Sequence, residues 1–140
     1  MRSLTAEDYD ALVALWEDAG LPYRPHGRDA RARIAREIDG PCSAFLGVER
    51  DGRLVGAVLG THDGRKGWIN RLAVDPKHRR EGIGRTLVAA LEAHFAALDI
   101  HIVACHIEDW NATSRTIFEQ FGYRPHPDIL YFTKRDSAET

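Results

Sequence analysis

The stretch from Asp75 to Arg85, Asp-Pro-Lys-His-Arg-Arg-Glu-Gly-Ile-Gly-Arg, stands between an apolar run ending at Val74 and an amphipathic run beginning at Ile83. Its chemistry is that of an anion site. The first turn of a helix presents unpaired N–H groups and the positive end of the helix dipole, and Gly82 and Gly84 allow a phosphate to approach that backbone. Lys77, Arg79, Arg80 and Arg85 add positive charge. A solvated basic loop with a glycine hinge is the competing reading of the same residues. Two known phosphate signatures are excluded: no Lys follows either glycine as a P-loop requires, and the third glycine of a dinucleotide fingerprint is missing, since Gly82-Ile83-Gly84-Arg85-Thr86 runs on to Leu87.

Other reactive types are scattered. Seven histidines show no H-x-x-x-H spacing, and the two cysteines, Cys42 and Cys105, are far apart and lack a C-x-x-C partner. Neither a metal site nor a disulfide framework is expected, and a reducing cytoplasm suits this cysteine usage. The 19 Lys and Arg against 21 Asp and Glu give a formal charge of −2, so no overall field favours nucleic acid or an anionic membrane. The first ten residues lack the apolar stretch of a signal peptide, and no apolar run approaches the ~18 residues of a membrane span.

The elements that must position these residues are readable from periodicity. Thr5 and Asp8 resemble a capping box, followed by Leu12, Leu15 and Trp16 at helical spacing up to Gly20. A polar, Arg-rich helix is expected from Asp29 to Ile38, with Ile34 and Ile38 four apart. Ser43 to Arg50 and Arg53 to Thr61 read as strands joined at Asp51-Gly52, a dipeptide suited to a tight hairpin. Trp68 to Val74 is a third strand. Ile83, Leu87, Leu91, Phe95 and Leu98 mark a long amphipathic helix, Ile100 to Ile107 a strand beyond it, Asn111 to Phe121 a last helix, and Ile129 to Lys134 a last strand. Strand, helix and strand around Ile83 to Leu98 form a parallel crossover. With 140 residues, 44% hydrophobic and 29% charged, one domain spanning 1–140 is expected, of mixed α+β class.

Arg79-Arg80-Glu81-Gly82-Ile83-Gly84, preceded by Leu72-Ala73-Val74-Asp75-Pro76, resembles the central motif of the GCN5-related N-acetyltransferases. A second motif of that family is matched from Asn111 through Ser114, Ile117 and Phe118 to Gly122-Tyr123. The resemblance covers nearly the whole chain and implies a GNAT-like fold: a mostly antiparallel central sheet of six to seven strands with about four helices, its first strand very short, at Met1 to Leu4. It further implies acetyl-CoA bound where two parallel strands splay apart. Leu72, Ala73 and Val74 would meet the pantetheine, and the segment Arg79, Arg80, Glu81, Gly82, Ile83, Gly84, Arg85 and Thr86 the pyrophosphate. Asn111, Ser114 and Phe118 would meet the cofactor from the other side, although Asn111 reads equally well as a helix cap.

The reaction implied is direct attack of an amine on the thioester, with the backbone N–H of Leu72 stabilising the oxyanion. The chain departs from the family in two places. Early acidic positions are absent, which leaves His106 as first choice for the base and Glu108, two residues on, as the reserve, if the strand extends that far. Imidazole is the side chain whose ordinary titration falls between about pH 5 and 8. Phe118 occupies the position of a tyrosine that protonates the thiolate, so water, Tyr131 or Tyr123 would have to serve instead. The expected function is an acetyl-CoA-dependent N-acetyltransferase acting on a primary amine, small molecule or peptide N-terminus, loosely like the ribosomal-protein alanine acetyltransferase branch; the alternative is a non-catalytic acyl-CoA-binding or regulatory domain. No metal, nucleic acid or membrane partner is expected, and a homodimer through Leu130 to Phe132 is open.

Overall fold

The computed structural model describes residues 1–140. Five strands form one sheet in the order β1-β2-β3-β4-β5: β1 (Arg2–Ser3), β2 (Ser43–Arg50), β3 (Arg53–His62), β4 (Gly67–Val74) and β5 (Val103–Cys105). All neighbours are antiparallel except β4 and β5, which are parallel. Four helices accompany them: α1 (Tyr9–Asp18), α2 (Arg31–Ile38), α3 (Ile83–Ala97) and α4 (Ala112–Gln120). The mixed α+β architecture and the helix count agree with expectation.

The strand count does not. Five strands are present in place of six to seven, because Ile129 to Lys134 forms no strand; the one expected at Ile100 to Ile107 is present but contracts to three residues. Ile100 belongs instead to the end of α3. Asp99 takes a left-handed φ of 60°, the Ile100 N–H donates to Phe95 O at 3.0 Å, and the Asp99 N–H donates to Ala96 O at 3.0 Å, which together form a Schellman cap. The Ile100 side chain, 2% exposed, is the apolar residue that seals it.

The hairpin turn is as read. Asp51 (φ 55°) and Gly52 (φ 75°) both adopt positive φ between the facing residues Arg50 and Arg53. Thr5 and Asp8 do form a capping box, the Thr5 N–H donating to Asp8 Oδ2 at 2.7 Å, but it opens a short 3₁₀ turn and α1 begins at Tyr9.

The sheet has a core on each face. Leu87, Val88, Leu91 and Phe95 of α3 pack on Val48, Val55, Val58 and Ile69, while Leu12, Leu15 and Trp16 of α1 and Ile34 of α2 pack on Phe45, Ala57, Leu59 and Ala73. Each fully buried aliphatic side chain contributes about 1.5–3 kcal/mol. α3 lies very close to the sheet: a Cβ at Gly56, Gly60 or Gly67 would fall 2.4, 2.5 and 2.3 Å from Ile83, Leu91 and Phe95 respectively.

One irregularity positions the site. Leu59 faces Arg71 and Gly60 faces Ile69, so Asn70 is an extra residue in β4. This bulge shifts the alternation, and Ile69, Leu72 and Val74 all turn toward α3 while Ala73 turns toward α1.

Candidate active site

β4 and β5 are paired only at Gly67 with Val103, Trp68 with Ala104 and Ile69 with Cys105. Beyond Ile69, β4 continues for five residues along β3 without β5, which opens a fork between the two parallel strands. The Asp75 N–H donates to Val55 O at 2.8 Å. Hydrogen-bonded and non-bonded pairs alternate along an antiparallel ladder, so Leu72 and Val74 direct their N–H and C=O away from β3 and into the fork. Two of the three expected contact residues therefore offer a free strand edge. Ala73 does not: its backbone faces Ala57 and its methyl group, 2% exposed, is buried against α1.

The N-terminus of α3 faces the same fork. A Cβ at Gly84 would lie 3.8 Å from both Leu72 and Val74. Gly82 is the N-cap, with φ 77° and open space at its Cβ position, and the first intrahelical bond runs from the Thr86 N–H to Gly82 O at 3.0 Å. The N–H groups of Ile83, Gly84 and Arg85 are thus the unpaired donors of the first turn. No side chain caps them. Arg80 is held at φ 72°, a costly region for a side-chain-bearing residue, which fits a loop shaped to present its backbone.

The charged side chains around this turn are distributed unequally. Arg79 and Arg80 are exposed and unpaired, whereas the Glu81 carboxylate is occupied by His78 Nδ1 at 2.9 Å and Arg50 Nε at 3.8 Å. Arg85 lies over the Phe121 ring, 4.9 Å from its centroid, and links the start of α3 to the end of α4. Ile83 contributes only its backbone, since its side chain is 4% exposed in the core.

On the α4 side, the Asn111 side chain caps the helix, its Oδ1 accepting from the Ser114 N–H at 3.2 Å, and its amide nitrogen keeps no protein partner. Phe118 is buried, edge-on to Phe121 and Tyr123. The Tyr123 hydroxyl donates to Glu92 Oε2 at 2.9 Å; burial and this carboxylate push its pKa well up, so it is a poor proton donor to anything else. Burial pushes the Cys105 thiol up to about 11, which makes this last paired residue of β5 unreactive at neutral pH.

His106 stands one residue past the last β4–β5 pair, at the apex of the fork. It lies against two rings, each tilted by 37°, Trp68 at 5.0 Å and Tyr131 at 4.4 Å between centroids, and is exposed toward a groove of about 1180 Å³ bounded by β5, α4 and the C-terminal segment. Glu108 is not on a strand face with it. β5 stops at Cys105, and Glu108 sits in the turn before α4, where its carbonyl accepts from the Asn111 N–H.

Sequence reading passed over Arg71. Its guanidinium reaches Asp29 Oδ2 and Pro22 O, both at 2.7 Å, and lies 4.6 Å from the Trp16 ring centroid, while Asp29 also accepts from the Arg24 N–H. Both side chains are largely buried. This cluster holds the loop between α1 and α2 against β4 just after the bulge. No spacing rule links positions 29 and 71, and only the fold brings them together.

The fold that carries this parallel fork and unpaired helix N-terminus is shared by known structures. A PaiA N-acetyltransferase from Thermoplasma acidophilum, solved with coenzyme A, superposes with a TM-score of 0.78 at 19% identity over 88% of this chain and 87% of that one. The aminoglycoside N-acetyltransferase AAC(6')-Iy, solved with a bisubstrate analogue, gives 0.79 at 15% identity over 96% of each chain. An aminoglycoside acetyltransferase from an uncultured soil metagenomic sample, solved with sisomicin, gives 0.77 at 14% identity over 97% and 95%. Residues 8–123 match the Acetyltransferase (GNAT) family, and the chain belongs to that family of acetyltransferases.

Proposed function

We propose that residues 1–140 act as one domain that transfers an acetyl group from acetyl-CoA to a primary amine. The observation that carries this reading is the free edge of β4 at Leu72 and Val74 lying beside the uncapped first turn of α3. An extended pantetheine amide chain is complementary to the former and a pyrophosphate to the latter. The space at Gly82 and the unpaired Arg79 and Arg80 fit the same ligand. Asn111 keeps an amide donor for the opposite side.

Acetyl-CoA supplies an acetyl thioester whose carbonyl carbon accepts the amine nitrogen. The Leu72 N–H, aimed into the fork and fixed by the β3 ladder, is placed to donate to the oxygen as it gains charge. His106, at the apex, takes the proton that the amine loses as the new C–N bond forms. The C–S bond then breaks, and the departing thiolate takes a proton from water or from Tyr131, since Phe118 has no hydroxyl and that of Tyr123 is engaged with Glu92. No covalent bond to the enzyme forms.

The acceptor approaches His106 along the groove walled by Trp68 and Tyr131. No helix is long and apolar enough to cross a membrane, and the near-neutral charge and cysteine usage suit a cytoplasmic setting without nucleic acid. Engagement of the Tyr123 hydroxyl and the buried phenyl ring of Phe118 favour, as a second reading, a domain that binds acyl-CoA without turnover. Titration calorimetry with acetyl-CoA, followed by a free-thiol release assay over a panel of amines that includes aminoglycosides and peptide N-termini, separates the two. Binding with thiol release on at least one amine is expected. Binding without release on any amine selects the second reading, and absence of binding removes both.

A further inference from the structure

The proposed cofactor site lies on the α3 side of the sheet, so an amine must reach the apex of the fork from the other side. His106 already faces that way. Val103, Cys105 and Ile107 pack with the α3 core, as do Gly67 and Ile69 of β4, so the alternate residues Trp68, Ala104 and His106 present the opposite face. Arg71, against the Trp16 ring of α1, shares it. On this face α1 and α2 cover Phe45, Ala57, Leu59 and Ala73, and the loop of residues 22–29 reaches as far as Arg71. Past Arg71, over His106, the cover is the chain from Tyr131 onward.

That chain touches down again on the far side, at Gly27. A Cβ there would overlap the carbonyl oxygen of Glu139 and lie 3.0 Å from its carbon and 3.2 Å from Thr140 Cα. Gly27 is not among the glycines of positive φ, so close approach, and not backbone conformation, is what excludes a side chain at this position. The seat is rigid: the Gly27 and Asp29 N–H groups both donate to Arg24 O at 3.0 Å, and Asp29 holds the Arg24 N–H and Arg71. The strand of chain above it is soft. Its hydrogen bonds close on themselves, from Arg135 Nη1 to Thr140 O at 3.0 Å, from the Glu139 N–H to Ser137 Oγ at 3.2 Å and from the Thr140 N–H to Ser137 O at 3.3 Å. None reaches a residue before Arg135, and residues 131–140 are all exposed, so this end lifts from Gly27 without breaking a hydrogen bond.

We propose, on the acetyl-transfer reading above, that residues 132–140 are a strap across the acceptor entrance and that its seat on Gly27 selects acceptors by size. Tyr131 and Glu139 are eight residues apart, about 27 Å at full extension, and they tie the apex of the fork to the loop that Arg71 anchors. With the strap down, an amine on a linear chain threads the groove past Trp68, Tyr131 and Phe132 to His106. An acceptor as broad as an aminoglycoside reacts only when the strap lifts. The proposed cofactor contacts lie across the sheet, so movement of the strap leaves them in place.

Gly27→Ala unseats the strap while straining nothing else, because the three atoms nearest the added Cβ all belong to Glu139 and Thr140. Trypsin should cut after Lys134 and Arg135 about fivefold faster in this variant than in the wild-type chain. Equal cleavage shows that the strap is not seated and overturns the proposal without any measurement of activity. Thiol release is then followed on linear amines and on bulky ones, aminoglycosides and folded peptides with a free N-terminus, for wild type, Gly27→Ala and a chain lacking residues 135–140. The ratio of kcat/KM on bulky acceptors to that on linear ones should rise about tenfold in both variants, at unchanged acetyl-CoA affinity. An unchanged ratio with faster cleavage overturns the gate and leaves acetyl transfer standing, and so does a loss of turnover on linear amines in both variants. Thiol release on no amine, by any of the three proteins, removes the acetyl-transfer reading and the gate with it.

Discussion

The two ends of the fork are built from different materials. At the proposed cofactor end, the groups that face the ligand are backbone ones: the N–H groups of the first turn of α3 and the free edge of β4 at Leu72 and Val74. At the apex and beyond, the surface is made of side chains, with His106 held between Trp68 and Tyr131, and Arg71 tying the loop of residues 22–29 to β4. A backbone site is fixed by the fold and recognises what all acyl-CoA molecules share. A side-chain site is fixed by particular residues and can be rewritten without disturbing the first. Substitutions at the two ends should therefore separate cofactor binding from acceptor turnover.

The largest effect is expected from Gly82→Glu, which sets a carboxylate in the proposed pyrophosphate site and a side chain at φ 77°. Calorimetry should detect no acetyl-CoA binding, while Gly82→Ala, which carries only the conformational strain, retains it. Binding that survives Gly82→Glu would move the anion site elsewhere. Next, Arg71→Met leaves Asp29 charged, buried and short of a partner, at a cost of about 3 kcal/mol measured by urea unfolding. At temperatures where the variant is folded, trypsin should cut faster at Arg24 and Arg28, and the acetyl-CoA dissociation constant should stay within about threefold of wild type. If cofactor affinity falls as much as stability, the two ends are not independent.

His106→Gln keeps the ring contacts only in part and removes the proposed base; kcat should drop about a hundredfold with little change in acetyl-CoA affinity. Tyr123→Phe loses the bond to Glu92 and about 1 kcal/mol of stability, yet kcat should change less than about twofold. The smallest effect concerns Cys105. With its pKa raised to about 11, its thiolate is scarce below that pH, so iodoacetamide at pH 8 should modify the exposed Cys42 and spare Cys105, with reaction at Cys105 rising only as the pH approaches 11. Equal labelling of both would show that the apex of the fork opens to solvent.

The same division governs what the sequence discloses. Gly82-Ile83-Gly84 after Val74-Asp75-Pro76 is legible because a local rule, an uncapped helix start behind a strand, is written in consecutive residues. Asp51-Gly52 is legible for the same reason. Asn111 proves to be a cap, its Oδ1 accepting from the Ser114 N–H. What could not be read depends on partners distant in the chain. Ile100 has strand character, but the Schellman cap on α3 takes it. Ile129 to Lys134 has the composition of a strand but makes no ladder with β5, whose outer edge is free. The bulge at Asn70 and the Arg71–Asp29 pair arise only once β3, β4 and α1 are assembled.

The three-residue pairing of β4 with β5 has a kinetic consequence. β3 is flanked along most of its length on both sides, whereas the last third of the chain is bonded to the sheet backbone only through residues 102–105. That third is positioned to open as a unit while the antiparallel ladder stays closed, so amides of residues 103–105 should exchange with deuterium well before those of residues 55–59. A ligand that bridges the fork would act as a splint across this hinge, and the protein would be most ordered at the moment both of its ends are in use.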